Sequence, residues 1–491
     1  MMLSQLIDGL SDIKVVNFKD TEITKVTADS GSCRPGVLFF AIRGARYNGI
    51  DFIPDAHRAG ARVFVCAEEI NIPDDSVVIY AKTPRKTLAE LCSKISGNPE
   101  KRLMFVGITG TKGKTTTAYF ISKILDRVGI PNLLIGTLGI GEDKKSVNTT
   151  PDPTVLFPTL RDAARRDVKV VVLEVSSQAL KDYRVFGIAF DTVVFTGLGE
   201  DHIGDFEHPS LSDYIASKRM LFNSYGAKRA VVNFDDSYAS YMSAGVPKVI
   251  KCGFTPQVDF LIENFNDNKD GSEFKINGIP IKSKLSGEYN ARNIALALGA
   301  VKEISGEDIV NTAEYANDIC VPGRFNVFGI NGVFAVVDYA HNYDSMVAVL
   351  TLARRLFSGK IICVFGSVGE RSFLRRPSLA RAAEEYADFS VITADSSGYE
   401  PPISVCADIY GAFINKTRAK IIPDRASAID YAMKIASRGD TVLILGRGHE
   451  KNISIMGQSV PFSDIEYIEK LALCSLGCSD CPSAKIQAIF S

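Results

Sequence analysis

A glycine-rich segment, GITGTKGKTTT at 107–117, follows a short apolar run and leads into a helical pattern that begins at Thr115. Glycines in such a segment let backbone N–H groups turn inward around phosphate oxygens, and the helix N-terminus adds its partial positive charge. Lys114 can reach the β- and γ-phosphates of a nucleotide, and the Thr115 hydroxyl can ligate Mg²⁺. The spacing departs from the strict P-loop pattern, since Ile108 stands where that pattern begins with glycine. The segment predicts a nucleotide site, and a purely structural glycine turn is the alternative.

An acidic residue, Glu174, lies near the end of the apolar run 168–175. Enzymes with a phosphate loop place an acid at the end of a neighbouring buried strand, where it organises Mg²⁺. Burying this carboxylate without a cation costs free energy, so a magnesium site is predicted here. A structural carboxylate with a protein partner is the alternative.

The elements that must position these residues alternate between β-branched apolar runs and helical patterns. Strands are predicted at 37–42, 63–67, 77–81, 103–106, 168–175, 192–195 and 230–232. The polar, alternating segment 259–284 predicts a hairpin excursion, and a helix is predicted at 290–304.

Beyond a break at Pro322 and Gly323, the β-then-α alternation becomes regular and predicts a doubly wound sheet. Its strands are predicted at 334–338, 360–365, 389–393, 420–422 and 441–445. The predicted fold class is therefore α/β, with three domains at 1–101, 102–321 and 322–491.

Composition excludes several classes of protein. The 491 residues suit about three domains, and 46% apolar with 23% charged residues is typical of a globular chain. A formal charge of −1 gives no global basic field for nucleic acid. No apolar run approaches the ~18 residues that span a bilayer, and the first residues lack the basic start of a secretory signal. We expect a cytosolic protein without a nucleic-acid or membrane partner.

Seven of the ten cysteines are scattered singly and predict reduced, mostly buried thiols. The other three, Cys474, Cys478 and Cys481, have C-x₃-C-x₂-C spacing, which suits an iron–sulfur cluster or zinc. No histidine lies nearby and only ten residues follow. A tail with thiols is therefore favoured, and metal binding is the alternative.

Further segments follow the phosphate loop in a fixed order. They are EVSS at 174–177, DH at 201–202, the helix around Lys218, GEYNARN at 287–293, PGR at 322–324 and VDYAH at 337–341. Together with 110–116, this series resembles the Mur ligases, which are ATP-dependent amide-bond-forming enzymes of peptidoglycan precursor synthesis. Asp29-Ser30 followed by Leu38-Phe39, NTTP at 148–151 and GRGHE at 446–450 resemble the members that extend UDP-N-acetylmuramoyl-L-alanyl-D-glutamate by its third amino acid.

The resemblance implies a reaction and an architecture. ATP phosphorylates the side-chain carboxylate of the D-glutamyl residue, and the amine of an incoming amino acid attacks the acyl phosphate. An N-terminal α/β domain binds the uridine end, and a central P-loop ATPase-like domain with a mostly parallel sheet binds ATP. A C-terminal Rossmann-like domain with a doubly wound sheet binds the amino acid. The implied cofactors are ATP and Mg²⁺, the implied partners are the UDP-muramoyl dipeptide and a free amino acid, and a monomer is expected.

The same resemblance assigns roles to individual residues. The catalytic set is Lys114, Glu174, His202 and Lys218, and the metal set is Thr115, Glu174, His202 and Lys218. Lys218 matches a lysine that CO₂ carbamylates. The ATP-binding set is Gly110, Thr111, Lys112, Gly113, Lys114, Thr115, Thr116, Asn290, Asn293, Arg324, Asp338 and His341. The UDP-substrate set is Ser30, the loop 44–49, Asn148, Thr149, Thr150, Ser176 and Arg184. The amino-acid set is Arg371, Asp395, Gly446 and Glu450. By residue type alone, His202 would be structural and Lys218 solvated.

Departures from the family pattern bear on the added amino acid. Gly31 stands where an arginine is common, and Gln178 stands where a histidine is common. Members that add meso-diaminopimelate usually carry Asp-Asn-Pro-Arg, whose arginine holds the distal carboxylate, but this chain has DSSG at 395–398. Glu450 can still receive a distal ammonium. A diamino acid is expected, and diaminopimelate, lysine and ornithine stay open. A related ligase with another peptide or folate-type substrate, and a nucleotide-binding scaffold without ligase activity, are the alternatives.

Overall fold

The computed structural model describes residues 1–44, 47–69, 73–141, 148–199, 208–370, 373 and 375–475. They form two compact units. The first contains Met1–Glu263, Lys275–Pro280 and Arg292–Ala316, and the second contains Asn264–Phe274, Ile281–Ala291 and the chain from Asn317 onward.

The first unit begins with a small α/β layer. Its elements are α1 (Leu3–Ile7), β1 (Ile13–Val16), β2 (Lys25–Thr27), β3 (Val37–Phe40), α2 (Ile53–Arg58), β4 (Val63–Cys66), β5 (Val77–Ala81) and α3 (Pro84–Ile95). The strand order is β1-β5-β4-β3-β2, and only β1 pairs antiparallel. The predicted strands β3, β4 and β5 are confirmed. β1 and β2 were not predicted, because they are short and mix polar with apolar residues.

A larger sheet follows in the same unit. Its elements are β6 (Met104–Thr109), α4 (Lys114–Val128), β7 (Asn132–Gly136), β8 (Gly139–Ile140), α5 (Pro153–Arg165), β9 (Val170–Glu174), α6 (Ser177–Lys181), β10 (Thr192–Phe195), α7 (Leu211–Asn223), β11 (Arg229–Asn233), α8 (Ala239–Ser243) and β12 (Lys248–Gly253). The strands run in the order β12-β11-β10-β6-β9-β7-β8, with β8 antiparallel to β7. β6 lies between β9 and β10, so the loops after these three parallel strands share one edge.

The segment predicted as a hairpin excursion contains β13 (Phe260–Asn268), β14 (Gly271–Ile276) and β15 (Ile279–Ser283). It is followed by α9 (Glu288–Ser305) and α10 (Ile309–Thr312). The segment has three strands where a two-stranded hairpin was predicted, because a second turn at 277–278 adds a further strand. The predicted helix is confirmed, and α9 begins two residues before and ends one residue after its predicted bounds.

The remaining elements belong to the second unit. They are β16 (Asn326–Ile330), β17 (Val333–Asp338), α11 (Tyr343–Leu356), β18 (Ile361–Phe365), α12 (Arg375–Tyr386), β19 (Phe389–Ile392), α13 (Pro402–Gly411), β20 (Ala419–Ile421), α14 (Arg425–Ile435), β21 (Thr441–Leu445), β22 (Asn452–Ile455), β23 (Gln458–Pro461) and α15 (Asp464–Ser475). The sheet order is β16-β17-β21-β18-β19-β20, and all pairs except β16–β17 are parallel. This is the predicted doubly wound sheet.

Both faces of this sheet are covered. Along β17, Val336 belongs to one buried apolar cluster while Ala335 and Val337 belong to another. Because successive side chains of a strand point to opposite faces, the sheet is buried on two sides. The α/β fold class is confirmed. Within the described ranges, no helix is long and apolar enough to cross a membrane.

Candidate active site

The predicted phosphate loop joins β6 to α4 through a backbone that requires glycine at two places. Gly110 has a φ of +152° and Gly113 a φ of +86°, which L side chains rarely adopt. A Cβ at Gly110 would also lie 2.0 Å from Thr196 Oγ1. The Lys114 ammonium donates to the carbonyls of Gly110 (2.7 Å) and Thr111 (3.0 Å). The ammonium therefore lies over the loop, next to the start of α4, where an anion is favoured.

Neighbouring elements fix the middle of this loop. The Thr111 amide donates to the Gly197 carbonyl at 2.8 Å, and its hydroxyl lies 3.1 Å from the Tyr214 hydroxyl on α7. The Thr196 hydroxyl, just after β10, donates to the Lys112 carbonyl at 2.5 Å. These contacts preorganise the loop before any ligand binds.

Glu174 ends β9 fully buried and meets the start of α4. Its Oε2 accepts from the Thr115 hydroxyl at 2.9 Å and from the Thr137 hydroxyl at 3.1 Å. Its Oε1 accepts from the Thr137 amide at 2.8 Å. A Cβ at Gly136 would lie 2.2 Å from that Oε1, so glycine makes room for the carboxylate. Thr116 lies buried beside Thr115. The predicted acid and hydroxyl are thus adjacent, and such oxygen donors suit Mg²⁺.

Lys218 lies on α7 and is 2% exposed, so the interpretation as a solvated lysine is wrong. Its ammonium donates to the Gly110 carbonyl at 3.0 Å and lies 4.3 Å from the centre of the Tyr214 ring. Lys218 and Lys114 therefore donate to the same carbonyl of the phosphate loop. His202 lies outside the described residues.

The residues predicted for the muramoyl-peptide end form one hydrogen-bonded group beside Glu174. The Thr150 hydroxyl donates to the Glu174 carbonyl at 2.8 Å and accepts from the Ser176 amide at 3.0 Å. The Arg184 guanidinium donates to the Thr150 carbonyl at 3.1 Å and to the Asp182 carboxylate at 3.2 Å. This group links a cation suited to acidic peptides with the end of β9.

The other predicted UDP-substrate residues that the structure describes are half-buried or exposed. The Thr149 hydroxyl lies 3.3 Å from the Thr137 hydroxyl, and Asn148 is exposed. Ser30 begins a short 3₁₀ turn. In the predicted loop 44–49, residues 45 and 46 are outside the described part of the chain. A Cβ at Gly49 would lie 2.4 Å from the backbone nitrogen of residue 42, so this loop position requires glycine.

Two asparagines predicted to bind ATP are buried in α9. The Asn293 side-chain oxygen accepts from the Thr117 hydroxyl at 3.2 Å, and a Cβ at Gly113 would lie 2.5 Å from it. Asn293 therefore contacts the base of the phosphate loop. The Asn290 amide donates to the Ser286 carbonyl at 2.8 Å.

Three further predicted ATP contacts belong to the second unit. The Arg324 guanidinium lies 4.6 Å from the centre of the Tyr339 ring. The Asp338 carboxylate, at the end of β17, accepts two backbone N–H groups at 2.8 Å each. His341 Nδ1 lies 2.7 Å from the Tyr339 carbonyl, which assigns the proton to Nδ1.

The amino-acid set centres on Arg447, a fully buried residue that sequence reasoning did not select. Its Nη1 lies 3.1 Å from Glu450 Oε2 and 3.5 Å from Asp395 Oδ1. Burial, with the Asp395 carboxylate second, raises the pKa of Glu450 to about 7, while Arg447 acts to lower it. Gly446 has a φ of +109°, and a Cβ there would lie 3.0 Å from Asp395 Oδ2. Arg371 lies outside the described residues.

Backbone geometry accounts for the glycine found where the family resemblance expects an arginine. Gly398 has a φ of +63°, and a Cβ there would lie 3.0 Å from Glu370 Cδ. Glu370 Oε1 also accepts from the Tyr399 amide at 3.1 Å. A side chain at 398 would be strained and would meet a carboxylate.

Thr137 is a site residue for which sequence reasoning made no prediction. Thr137 was missed because β7 was not predicted, although a Gly-Thr pair after a strand next to β9 would have marked it.

The three C-terminal cysteines are described only in part: Cys474 lies on α15, whereas Cys478 and Cys481 are outside the described residues. In the described ranges, no group of three or more His, Cys, Asp or Glu side chains is arranged to hold a metal. Six of the seven scattered cysteines are buried and Cys320 is exposed, so the prediction of mostly buried thiols is confirmed.

Comparisons with known proteins agree on one family. Residues 22–95 match the Mur ligase family catalytic domain, residues 108–301 match the Mur ligase middle domain, and residues 323–448 match the Mur ligase glutamate ligase domain. The chain is 36% identical to the UDP-N-acetylmuramoyl-L-alanyl-D-glutamate--2,6-diaminopimelate ligase of Aquifex aeolicus, over 91% of this chain and 93% of that protein. It is 34% identical to the ligase of the same name from Bacillus cereus, over 96% and 98%.

Solved structures give the same result for the fold. A structure of a UDP-N-acetylmuramoyl-L-alanyl-D-glutamate--2,6-diaminopimelate ligase aligns over 97% of this chain and 99% of its own, with a TM-score of 0.67 and 26% identity. The MurF ligase of Thermotoga maritima, solved in complex with ADP, aligns over 92% and 98%, with a TM-score of 0.58 and 21% identity.

Proposed function

The chain belongs to the Mur ligase family, and we propose that it ligates diaminopimelate to the D-glutamyl residue of UDP-N-acetylmuramoyl-L-alanyl-D-glutamate, with ATP as the energy source. The observation that carries the proposal is the convergence of Lys114, Lys218 and the Thr115–Glu174 pair around one phosphate loop. The printed names of the relatives support the substrate and the added amino acid.

The reaction needs charge neutralisation more than acid–base chemistry. Phosphorylating the D-glutamyl carboxylate brings anionic oxygens of ATP and peptide together, and positioned cations lower that barrier. Lys114 binds the β- and γ-phosphates, and the N-terminus of α4 adds its dipole. Arg184 and Thr150 orient the acidic peptide beside Glu174. The amine then attacks the acyl phosphate, and the tetrahedral intermediate collapses to the amide as phosphate leaves.

Mg²⁺ suits the oxygen donors of Thr115 and Glu174, whose Oγ1 and Oε2 lie 2.9 Å apart. When bound, the ion would neutralise phosphate charge. We propose that His202 and Lys218 complete its surroundings, with Lys218 carbamylated by CO₂. Carbamylation would convert the buried Lys218 ammonium, which would repel Mg²⁺, into an anion that suits a cation site.

One assay tests the proposal. Phosphate release is measured with ATP, the UDP-muramoyl dipeptide and, in separate reactions, meso-diaminopimelate, L-lysine, L-ornithine and L-alanine. We expect release that requires both the dipeptide and diaminopimelate. Release without stimulation by the dipeptide would refute the proposal. Release that requires L-lysine or L-ornithine instead would favour a ligase that adds a different diamino acid. This is the second candidate, because Gly398 stands where an arginine would hold the distal carboxylate of diaminopimelate.

A further inference from the structure

A hydrogen-bonded triad of buried Ser177, buried His208 and half-buried Asp213 lies beside the site without belonging to any predicted set. His208 Nε2 lies 2.9 Å from Ser177 Oγ, and His208 Nδ1 lies 2.6 Å from Asp213 Oδ2. The Lys181 ammonium donates to the same Asp213 oxygen at 2.9 Å. His208 is 1% exposed, and its ring packs edge-on against Tyr214 at 5.1 Å.

The partners of His208 define its tautomer. A carboxylate only accepts, so Nδ1 carries the proton, and Nε2 accepts from the Ser177 hydroxyl. Burial lowers the pKa of His208, Asp213 acts to raise it, and the Lys181 cation acts to lower it. The shift favours the neutral imidazole, whose Nε2 accepts from the Ser177 hydroxyl and holds it in one orientation.

These hydrogen bonds hold helix α6, which is too short to be stable alone. Helix α6 has only five residues, Ser177–Lys181, and helices of this length need tertiary contacts. Its first residue reaches Asp213 through His208, and its last residue reaches Asp213 directly. Both ends of α6 are thus anchored to one carboxylate on α7.

Helix α6 also connects two parts of the muramoyl-peptide set. Ser176, whose hydroxyl accepts from the Ala179 amide at 3.2 Å, caps it and donates through its own amide to Thr150. Arg184 follows its C-terminal end by three residues. A displacement of α6 would therefore move Ser176 and Arg184 relative to Thr150.

The same turn of α7 contacts the phosphate loop through Tyr214, whose hydroxyl lies 3.1 Å from Thr111 Oγ1. The Tyr214 hydroxyl makes this contact, whereas the Tyr214 ring packs against His208. Loss of the histidine removes two hydrogen bonds that hold the peptide end and one ring contact toward the nucleotide end, so the larger effect is expected at the peptide end.

We infer that His208 is a positioning residue for the muramoyl-peptide end of the substrate: it anchors α6 to Asp213 and thereby sets the geometry of Ser176 and Arg184. The inference rests on the proposed function. His208 contacts no predicted substrate residue itself and acts through Ser177.

Three variants test it. His208→Asn keeps a donor near the Nδ1 position for Asp213 but loses Ser177, His208→Gln does the reverse, and Ser177→Ala removes the hydroxyl alone. We expect each to raise the KM for the UDP-muramoyl dipeptide about fivefold, the scale of one neutral hydrogen bond. The KM for ATP and kcat should stay within about twofold. The dipeptide KM of the double variant Ser177→Ala/His208→Asn should be no higher than that of the more impaired single variant, because both changes break the same series of hydrogen bonds.

Ser243→Ala is the matched control, since this buried serine donates to the Ala239 carbonyl within α8. It should leave both KM values unchanged. An unchanged dipeptide KM in the three variants, or equal rises in the KM for dipeptide and ATP, would overturn the inference. Wild-type protein that is inactive with the dipeptide would refute the proposed function and the inference with it. An active wild type with unaffected variants would refute the inference alone.

Discussion

Two buried groups of charged residues in this protein are held by different kinds of contact. In the first unit, Glu174 accepts from two threonine hydroxyls and one backbone amide, and Lys218 donates to a backbone carbonyl. In the second unit, Arg425 forms a bidentate pair with Asp464, at 2.7 Å for both contacts, and Arg447 lies between two carboxylates.

The difference matches what each region has to do. The hydroxyl and amide donors around Glu174 are neutral, so they do not compensate the negative charge of the carboxylate. The carboxylate can therefore bind a cation. An arginine that is paired with a carboxylate inside the protein has its charge neutralised there, and it fixes the positions of the neighbouring groups. The first region is therefore suited to bind a charged ligand. The second region is held together by its own ion pairs and contains Glu450, an adjustable carboxylate whose pKa lies near 7.

The largest effect is expected from Lys218→Ala. If the buried lysine serves the reaction, its loss should lower kcat by about a thousandfold, the upper range for one electrostatic contact in a water-excluded site. Phosphate release measures this, with Lys228→Ala, an exposed lysine, as control. A thermal melt near that of the wild type separates lost chemistry from lost folding. Activity within tenfold of the wild type would remove Lys218 from the mechanism.

In the second unit, Asp464→Asn should act on stability. It leaves the fully buried Arg425 without its ion-pair partner, and breaking such a pair costs about 3–5 kcal/mol in the free energy of unfolding. Glu273→Gln breaks an exposed pair with Lys282 and should cost less than about 1 kcal/mol. Urea unfolding of both variants checks the contrast. Equal costs would show that pairing in the second unit contributes no more than a surface contact.

The sequence predicted the first region better than the second, and chain locality explains why. The phosphate loop is one short segment, and Glu174 could be found because an acid at the end of a buried β-branched run is unusual. Thr137 escaped prediction because β7 is a short strand of mixed exposure. The α/β class and the main strands were predictable from alternating runs, since parallel strands buried on both faces are continuously apolar.

The arginine network could not be predicted, because its members come from separate elements. Arg425 begins α14 and Asp464 begins α15, 39 residues later, while Arg447 follows β21. Nothing in the spacing of single charged residues tells which of them meet. His208 is similar: its partners Ser177 and Asp213 lie 31 and 5 residues away, and only the packing of α6 against α7 brings the three together.

A smaller change tests the first region through space rather than charge. Gly136→Ala adds a Cβ that would lie 2.2 Å from Glu174 Oε1 and must displace the carboxylate. A misplacement of about 1 Å at a reacting site costs up to about a hundredfold, so we expect kcat to fall by that order. Gly411→Ala is the matched control, since a Cβ there meets nothing within 4 Å. Unchanged kcat in Gly136→Ala would mean that the geometry of Glu174 is not limiting.

The smallest effect concerns the adjustable carboxylate of the second region. Because burial raises the pKa of Glu450 to about 7, its ionised fraction rises about tenfold between pH 6 and pH 8. An ionised carboxylate attracts a substrate ammonium, so the affinity for the diamino acid should rise by up to that factor.

The free energy of unfolding should change the other way: a folded-state pKa above the unfolded value favours folding at low pH, and this contribution is lost as pH rises through about 7. Calorimetric titration and urea unfolding at pH 6, 7 and 8 measure the two trends. Glu450→Gln should remove both, and Glu466→Gln, an exposed carboxylate on α15, should keep both. Affinity and stability that rise together with pH would exclude Glu450 as their common cause.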